Sequence, residues 1–162
     1  MTYFEDIGGI ISAPIDFVWE YLVSEHHGPA HERNARNFEV RETVGRTSLV
    51  AAERLFRGKW SAFVSRSTDY PPLCVCNEEV EGDFAGTTFV IIYKPEGNVT
   101  RVDVYGDVRS TVLPPDEARR EFLELLQGAY EDDIAAINEL RRRGAGKRAP
   151  GRRPRTRTLD GS

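Results

Sequence analysis

The spacing of apolar residues separates one long predicted helix near the end of the chain from a mostly strand-like remainder. From residue 114 to residue 143 the apolar positions recur every three to four residues, which is typical of a long amphipathic helix. They share one side of the helical wheel: Ala118, Phe122, Leu125, Leu126, Ala129, Ala136, Ile137 and Leu140. Before residue 114 the apolar runs are mostly short and rich in β-branched or aromatic residues. We therefore expect one long helix whose apolar side is buried against a sheet.

Both ends of this helix are marked in the sequence. Pro115 stands in the first turn, with Asp116 and Glu117 where the helix dipole favours acids. Three arginines at 141–143 suit the opposite end, and Gly144 is typical of the residue that terminates a helix. These signals predict a helix that ends at residue 143.

Seven other segments have the length and composition of strands. Between the first and second of them, residues 14–23 form a predicted short helix, and Gly28-Pro29 separates it from another near residues 30–35. The strands are residues 3–11, 38–44, 49–57, 59–67, 73–80, 87–94 and 99–110. The links between the last six are too short for parallel crossovers, which need a dozen or more residues. We expect an α+β protein with a seven-stranded antiparallel sheet, provided that the first strand joins the meander.

One predicted strand carries a charge on each face. In residues 49–57, Glu53 belongs to one face and Arg54 to the other. Whichever face is inward, one of these two charges must point towards the interior or its rim.

The element order and one short motif resemble a known superfamily. Ala13-Pro14 follows the first predicted strand and leads into a helix that bears Val18-Trp19, within the stretch IISAPIDFVWEYL. The order and this opening resemble the START and Bet v 1-like (SRPBCC) superfamily, which includes polyketide cyclases, dehydrases and lipid-transfer proteins. The resemblance covers residues 3–143. It implies a helix-grip fold, in which the sheet curves around the long C-terminal helix and encloses an apolar cavity.

This resemblance leads to a functional hypothesis with two alternatives. The leading hypothesis is a carrier or binding protein for a small hydrophobic ligand that is lipid-like, polyketide-like or aromatic. The alternatives are a cyclase, dehydratase or hydrolase on the same scaffold, and an interaction protein that uses its basic tail. The expected ligand-binding residues are Phe122, Leu126, Ala129, Tyr130, Asp133 and Ile137 on the helix, with Phe89, Ile91, Val102 and Val104 on the sheet.

Asp133 is the candidate for chemistry. It lies about 20° from Phe122 on the helical wheel, inside the apolar stripe. Facing the cavity and unpaired, its carboxyl would have a raised pKa and serve as an acid/base group or hydrogen-bond anchor. The alternative is that Asp133 lies beyond the cavity and pairs with a basic residue such as Arg54 or Arg66, or reaches solvent.

The histidines offer a second, less favoured candidate. His27 and His31 have the spacing that places two imidazoles on one helix face, but Gly28-Pro29 interrupts it. We favour a polar entrance loop for His26, His27 and His31 and expect no metal. Without a Gly-rich phosphate loop or a dinucleotide fingerprint, we also expect no cofactor.

Charge divides the chain unevenly. The net charge is −4, but residues before Arg141 carry 13 Lys or Arg against 25 Asp or Glu, a net charge of −12. Nine basic residues and no acid fall between Arg141 and Arg157. We therefore divide the chain into a ligand-binding domain, 1–143, and a basic tail, 144–162, that we expect to be disordered. The tail could make a weak, salt-dependent contact with nucleic acid or an anionic surface.

The chain has no apolar run that would span a membrane. Its first nine residues include Glu5 and Asp6 and lack the basic and apolar regions of a secretory signal. We therefore expect a cytoplasmic protein.

Overall fold

The computed structural model describes residues 1–147. The strands are β1 (Tyr3–Ile11), β2 (Ala35–Val44), β3 (Thr47–Phe56), β4 (Lys59–Tyr70), β5 (Cys74–Glu81), β6 (Thr88–Glu96) and β7 (Val99–Asp107). The helices are α1 (Ile15–Leu22), α2 (His27–Ala30) and α3 (Pro115–Lys147). None of the helices described is both long and apolar enough to cross a membrane.

The strands form one antiparallel sheet in the order β1-β7-β6-β5-β4-β3-β2. β2 to β7 are a meander, as the short links predict, and β1 joins the sheet beside β7. The α+β helix-grip architecture is therefore confirmed, with a seven-stranded sheet that stays open between β1 and β2.

The second short helix was predicted too late in the chain. α2 covers His27–Ala30, whereas residues 30–35 were expected, and Ala35 already pairs with Arg54 as the first residue of β2. Pro29 does not break α2, because a proline in the first turn of a helix lacks only an N–H that would have no partner there. Consequently Gly28-Pro29 lies within the helix rather than ahead of it.

The end of α3 was also predicted wrongly. The helix passes Gly144 and runs to Lys147. Glycine inside a helix costs only about 1 kcal/mol relative to alanine. Ion pairs from Glu139 to Arg142 and Arg143, three and four residues on, stabilise the turn that leads into Gly144. Residues 148–162, to which most of the tail prediction applies, lie outside the described residues.

The apolar stripe of α3 is buried as predicted. Ala118, Phe122 and Ile137 are only 1–2% exposed. Phe122 belongs to an aromatic cluster at one end of the sheet, with Phe4, Phe56 and Phe84. Ile137 belongs to a second cluster at the other end, formed with residues of β1, α1, β6 and β7. α3 thus joins two packed regions, and the space between them is the interior of the grip.

Candidate functional site

A cavity of about 290 Å³ lies between the sheet and α3. Its walls are mainly apolar and come from β1, α1, β6, β7 and α3. The lining residues are Asp6, Ile7, Gly8, Gly9, Ile11, Val18, Leu22, Ile91, Tyr93, Val102, Val104, Leu126, Gln127, Ala129, Tyr130, Asp133 and Ile137. We call this space the main cavity.

The main cavity opens between β1 and α3. Asp6, Ile7 and Gln127 of its wall are exposed, whereas Val18 and Ile137 are buried at its inner end. The β1–β7 register shifts between Asp6 and Gly9, so β1 bulges at this edge. A bulge here leaves β1 less tightly paired beside the opening.

Gly9 of β1 and Tyr130 of α3 approach each other closely. The Tyr130 hydroxyl donates a 2.9 Å hydrogen bond to the carbonyl oxygen of Ile10. A Cβ on residue 9 would lie 3.1 Å from that hydroxyl, so glycine gives the ring room to reach β1. Tyr130 therefore lines the main cavity with its hydroxyl already bonded to the backbone.

A second cavity of about 210 Å³ lies nearer the N-terminal end of α3. Its wall includes the charged side chains of Arg54 and Glu79, and it shares Leu126 and Ala129 with the main cavity. The lining residues are His31, Asn34, Ala35, Phe38, Arg54, Phe63, Ser65, Asn77, Glu79, Phe89, Phe122, Leu125, Leu126 and Ala129. Leu126 and Ala129 therefore stand where the two spaces meet.

The residues predicted to bind a ligand all line one of these two spaces. Eight of the ten line the main cavity: Ile91, Val102, Val104, Leu126, Ala129, Tyr130, Asp133 and Ile137. Phe89 and Phe122 instead line the second cavity, where they also pack with their rings 5.5 Å apart. Whether these residues contact a ligand stays a prediction.

Asp133 combines the two alternatives left open for it. It lines the main cavity, and it is also paired, but not with Arg54 or Arg66. Its Oδ1 accepts a hydrogen bond from the Tyr21 hydroxyl at 2.7 Å and lies 3.1 Å from His31 Nε2 and 3.4 Å from His27 Nε2. α1, α2 and α3 thus each contribute to one polar cluster at the cavity wall.

His31 bridges two neighbouring carboxylates of α3. Its Nδ1 lies 3.3 Å from Asp132 Oδ2, opposite the contact between its Nε2 and Asp133. Asp132 is itself 4% exposed and is held by Arg33 Nε at 2.5 Å and Asn34 Nδ2 at 2.8 Å. The expected entrance loop is therefore wrong for His31, which is 12% exposed at its side chain and fixed at both ring nitrogens.

The cluster keeps Asp133 ionised. Burial alone would raise the pKa of Asp133, but hydrogen bonds from His27 and His31 hold it well below its usual range. Burial likewise opposes a charge on His31, yet its contacts with Asp133 and Asp132 raise the pKa of the imidazole. Burial and the neighbouring carboxylate also raise the pKa of Tyr21. Asp133 is thus a charged hydrogen-bond acceptor, not the protonated acid that an unpaired site would give.

Arg54 is the inward charge of β3, and its partner is Glu79 of β5. Arg54 Nη2 donates to Glu79 Oε1 at 2.6 Å, and the guanidinium carbon lies 3.7 Å from the centroid of the Phe63 ring. Glu79 Oε2 is buried and has no hydrogen-bond partner among residues 1–147. Burial raises the pKa of Glu79, and Arg54 offsets this only in part. The second cavity therefore contains an ion pair with one free acceptor.

Sequence reasoning missed Asp132, Tyr21 and Glu79 as members of these polar clusters. Glu79 could have been predicted, because an inward arginine on β3 requires a carboxylate on the same face of a nearby strand. Asp132 had none, because the residues that bury it come from the loop after α2.

The fold and cavity together place the chain in a structural class. It has the helix-grip fold of START and Bet v 1-like proteins. A START superfamily protein from Mycobacterium smegmatis superposes with a TM-score of 0.73 at 15% identity, covering 85% of this chain and 98% of the other. No protein-family model and no curated protein matches the sequence.

Two other solved structures show the range of proteins that share this fold. The ZhuI aromatase/cyclase from Streptomyces sp. R1128 has a TM-score of 0.69 at 18% identity, over 88% of this chain and 94% of that one. Ara h 8.0201 has a TM-score of 0.70 at 13% identity, over 85% of this chain and 97% of that one. At such low sequence identities, the superpositions establish only the shared fold, and the activity must be argued from the site.

Proposed function

We propose that the protein binds a small, mainly apolar molecule in the main cavity between the sheet and α3. The observation that carries the proposal is the cavity itself, since interiors are normally packed to a density that leaves few voids larger than a water molecule. A space of 290 Å³ lies near the lower end of the roughly 300–1,000 Å³ range of small-molecule pockets.

The wall chemistry supports a ligand with one polar end. Ile91, Val102, Val104 and Leu126 offer apolar contacts along the sheet and helix. Asp133 is the charged group in the inner part of the wall, and its Oδ1 already accepts from Tyr21. A hydroxyl or other donor on the ligand suits its remaining acceptor capacity, because a carboxylate offers about four lone-pair sites.

The comparisons support the same class of function without naming a ligand. One relative in fold is an aromatase/cyclase and another a START superfamily protein. A lipid-like, polyketide-like or aromatic molecule fits the apolar wall, and an aromatic one suits the limited volume best.

The proposal is tested by a substitution that fills the cavity at a residue lining both cavities. Ala129→Phe places a ring where the two cavities meet, whereas Ala135→Phe adds the same ring at an exposed position of α3. Binding is followed with the fluorescent probe 8-anilinonaphthalene-1-sulfonate, which has an aromatic body and one anionic sulfonate, and near-UV circular dichroism confirms native packing. We expect Ala129→Phe to weaken probe binding about tenfold or more, a loss of about 1.4 kcal/mol, and Ala135→Phe to leave it unchanged. Equal binding in all three proteins would refute the proposal.

Acid/base chemistry on a bound molecule is a second candidate function. It is favoured by one contact, the 3.1 Å separation of Asp133 Oδ1 and His31 Nε2 at the cavity wall. A charged carboxylate that orients an imidazole is a common arrangement for proton transfer. Hydrolysis of 4-nitrophenyl acetate that is lost in Asp133→Asn, with probe binding intact, would support it. Unchanged hydrolysis would remove Asp133 from such a mechanism.

A further inference from the structure

The polar cluster beside the main cavity has the donor set of a metal site. His27 and His31 stand four residues apart on α2 and its C-terminal edge, with ring centroids 5.0 Å apart, and Asp133 faces both from α3. One ligand atom from each of the three residues lies within 4.8 Å of the others. Two imidazoles and a carboxylate are ligands that Zn²⁺ and related ions commonly use.

The distances are close to those a bound ion requires. Ligand atoms about 2.0–2.2 Å from a tetrahedral ion lie roughly 3.3 Å from one another. The contacts of Asp133 Oδ1 with the two Nε2 atoms are 3.1 and 3.4 Å. The remaining edge, between the two imidazoles, can shorten by rotation of His27, whose side chain is 36% exposed.

Asp132 supplies the second, independent observation. It lies 3.3 Å from His31 Nδ1, and an N–H donated to this carboxylate leaves the Nε2 lone pair directed at Asp133. Metal-binding histidines usually have such a carboxylate on their other nitrogen, which fixes the tautomer and the ring orientation. Asp132 is buried and anchored by Arg33 and Asn34, so the support is rigid.

The charge of the cluster also favours a cation. In the neutral tautomer of His31 that donates Nδ1–H to Asp132, the Nε2 lone pair faces a carboxylate oxygen 3.1 Å away, and a cation between the two atoms would relieve their repulsion. Asp132 and Asp133 contribute two negative charges, whereas Arg33 contributes one positive charge. A dication would offset the net negative charge of these three groups, and it could bind the two histidine nitrogens and the Asp133 oxygen together.

We propose that His27, His31 and Asp133 bind one divalent transition-metal ion, with Zn²⁺ as the ion their donor set favours. Three protein ligands leave a fourth position for water or another donor. Because Asp133 also lines the main cavity, the ion would lie beside the space proposed for the ligand. The metal site does not depend on that ligand, and its test needs none.

The test uses the full-length protein, freed of metal by a chelator and then dialysed. Co²⁺ is added and its visible absorption recorded, since a four- or five-coordinate cobalt ion absorbs far more strongly than the hydrated ion. Zn²⁺ is then added to displace it, and isothermal titration calorimetry gives the stoichiometry. The variants are His27→Ala and Asp133→Asn, with His26→Ala as the matched control, because His26 is exposed and outside the cluster.

We expect one Co²⁺ per chain in the wild type and in His26→Ala, displaced by Zn²⁺. We expect His27→Ala to weaken the affinity about tenfold or more, because even the loss of a group that only supports a ligand costs roughly 10–100-fold, and we expect Asp133→Asn to abolish the cobalt spectrum. Far-UV circular dichroism establishes that each variant is folded, and His27→Ala, being partly exposed, is the variant that decides if Asp133→Asn unfolds. Absence of the spectrum in the wild type, or an equal affinity in His27→Ala and His26→Ala, would overturn the proposal.

Discussion

Replacing Glu79 with alanine should destabilise the protein far more than the same change at the neighbouring Glu78. Both residues belong to β5, and each accepts a 2.6 Å hydrogen bond from an arginine, Arg54 for Glu79 and Arg66 for Glu78. The pairs differ in burial. The side chains of Glu79 and Arg54 are 5% and 14% exposed, whereas those of Glu78 and Arg66 are both 46% exposed. The comparison therefore isolates how burial changes the loss of stability when an arginine loses its carboxylate partner.

The structure sets the size of the two effects. Breaking a buried ion pair costs about 3–5 kcal/mol, because the remaining charge is left without a partner. Arg54 keeps its stacking on Phe63 and is not wholly buried, so we expect the lower end, about 3 kcal/mol, for Glu79→Ala. An exposed pair is worth about 0–1 kcal/mol, which is the range we expect for Glu78→Ala.

Urea unfolding, followed by fluorescence of Trp19 and Trp60, measures both. With a slope of about 1–3 kcal/mol per molar urea, a loss of 3 kcal/mol moves the midpoint by roughly 1–3 M. A cost below about 1 kcal/mol for Glu79→Ala, or equal costs for the two variants, would show that the Arg54–Glu79 pair is not desolvated.

The raised pKa of Glu79 predicts how the stability of the fold depends on pH. Burial raises the pKa of Glu79 above its ordinary value of 4.5, so the folded state binds this proton more tightly than the unfolded state. Its protonation therefore stabilises the fold below pH 4.5, and this contribution is lost as the pH rises through the folded-state pKa. Glu79→Gln does not titrate there, so the wild type should lose stability relative to this variant as the pH is raised from 4.5. A difference independent of pH would contradict the raised pKa.

Four further substitutions test other parts of the structure by thermal unfolding. Phe122→Ala should cost about 3–5 kcal/mol, because the ring is 2% exposed among three other aromatic rings; a small loss would mean that the aromatic cluster is loosely packed. A hydrogen bond from a backbone N–H of the β1 bulge lowers the pKa of Asp103. The ionised Asp103 carboxylate therefore stabilises the fold at pH values above 3.8, the ordinary pKa of this group. Asp103→Asn should therefore lower the melting temperature at pH 7, and a gap that fails to narrow below pH 3.8 would contradict this. Gly106→Ala should be strongly destabilising, because its Cβ would lie 2.5 Å from the Thr88 carbonyl oxygen, whereas Gly144→Ala meets nothing within 4 Å and should stabilise α3 by up to about 1 kcal/mol; similar effects of the two changes would refute the comparison.

Much of the fold was predictable because it depends on local signals. Short links exclude parallel crossovers, and the spacing of Ala118, Phe122 and Ile137 defines the buried side of α3 before any partner is known. The inward charge on β3 followed from strand alternation, although the choice of Arg54 over Glu53 did not. Pairing with Glu79 decides it, and this contact joins residues on different strands.

The polar cluster was less predictable because long-range contacts form it. The helical wheel placed Asp133 in the apolar stripe correctly, but it could not show that α1 and α2 supply its partners. Gly28-Pro29 was expected to interrupt the spacing of His27 and His31, and a proline in the first turn of α2 does not. Asp132 lies about 100° around the helix from Asp133, and its partners His31, Arg33 and Asn34 all come from α2 or the segment that follows it.

Native mass spectrometry of protein expressed in its own host tests whether the main cavity holds a small apolar molecule. Wild type, Ala129→Phe and Ala135→Phe are purified side by side, and any bound molecule is released by denaturation and identified. We expect one molecule, near one per chain, on the wild type and on Ala135→Phe, and none on Ala129→Phe. An empty wild-type protein, or equal occupancy in Ala129→Phe, would contradict the proposed binding.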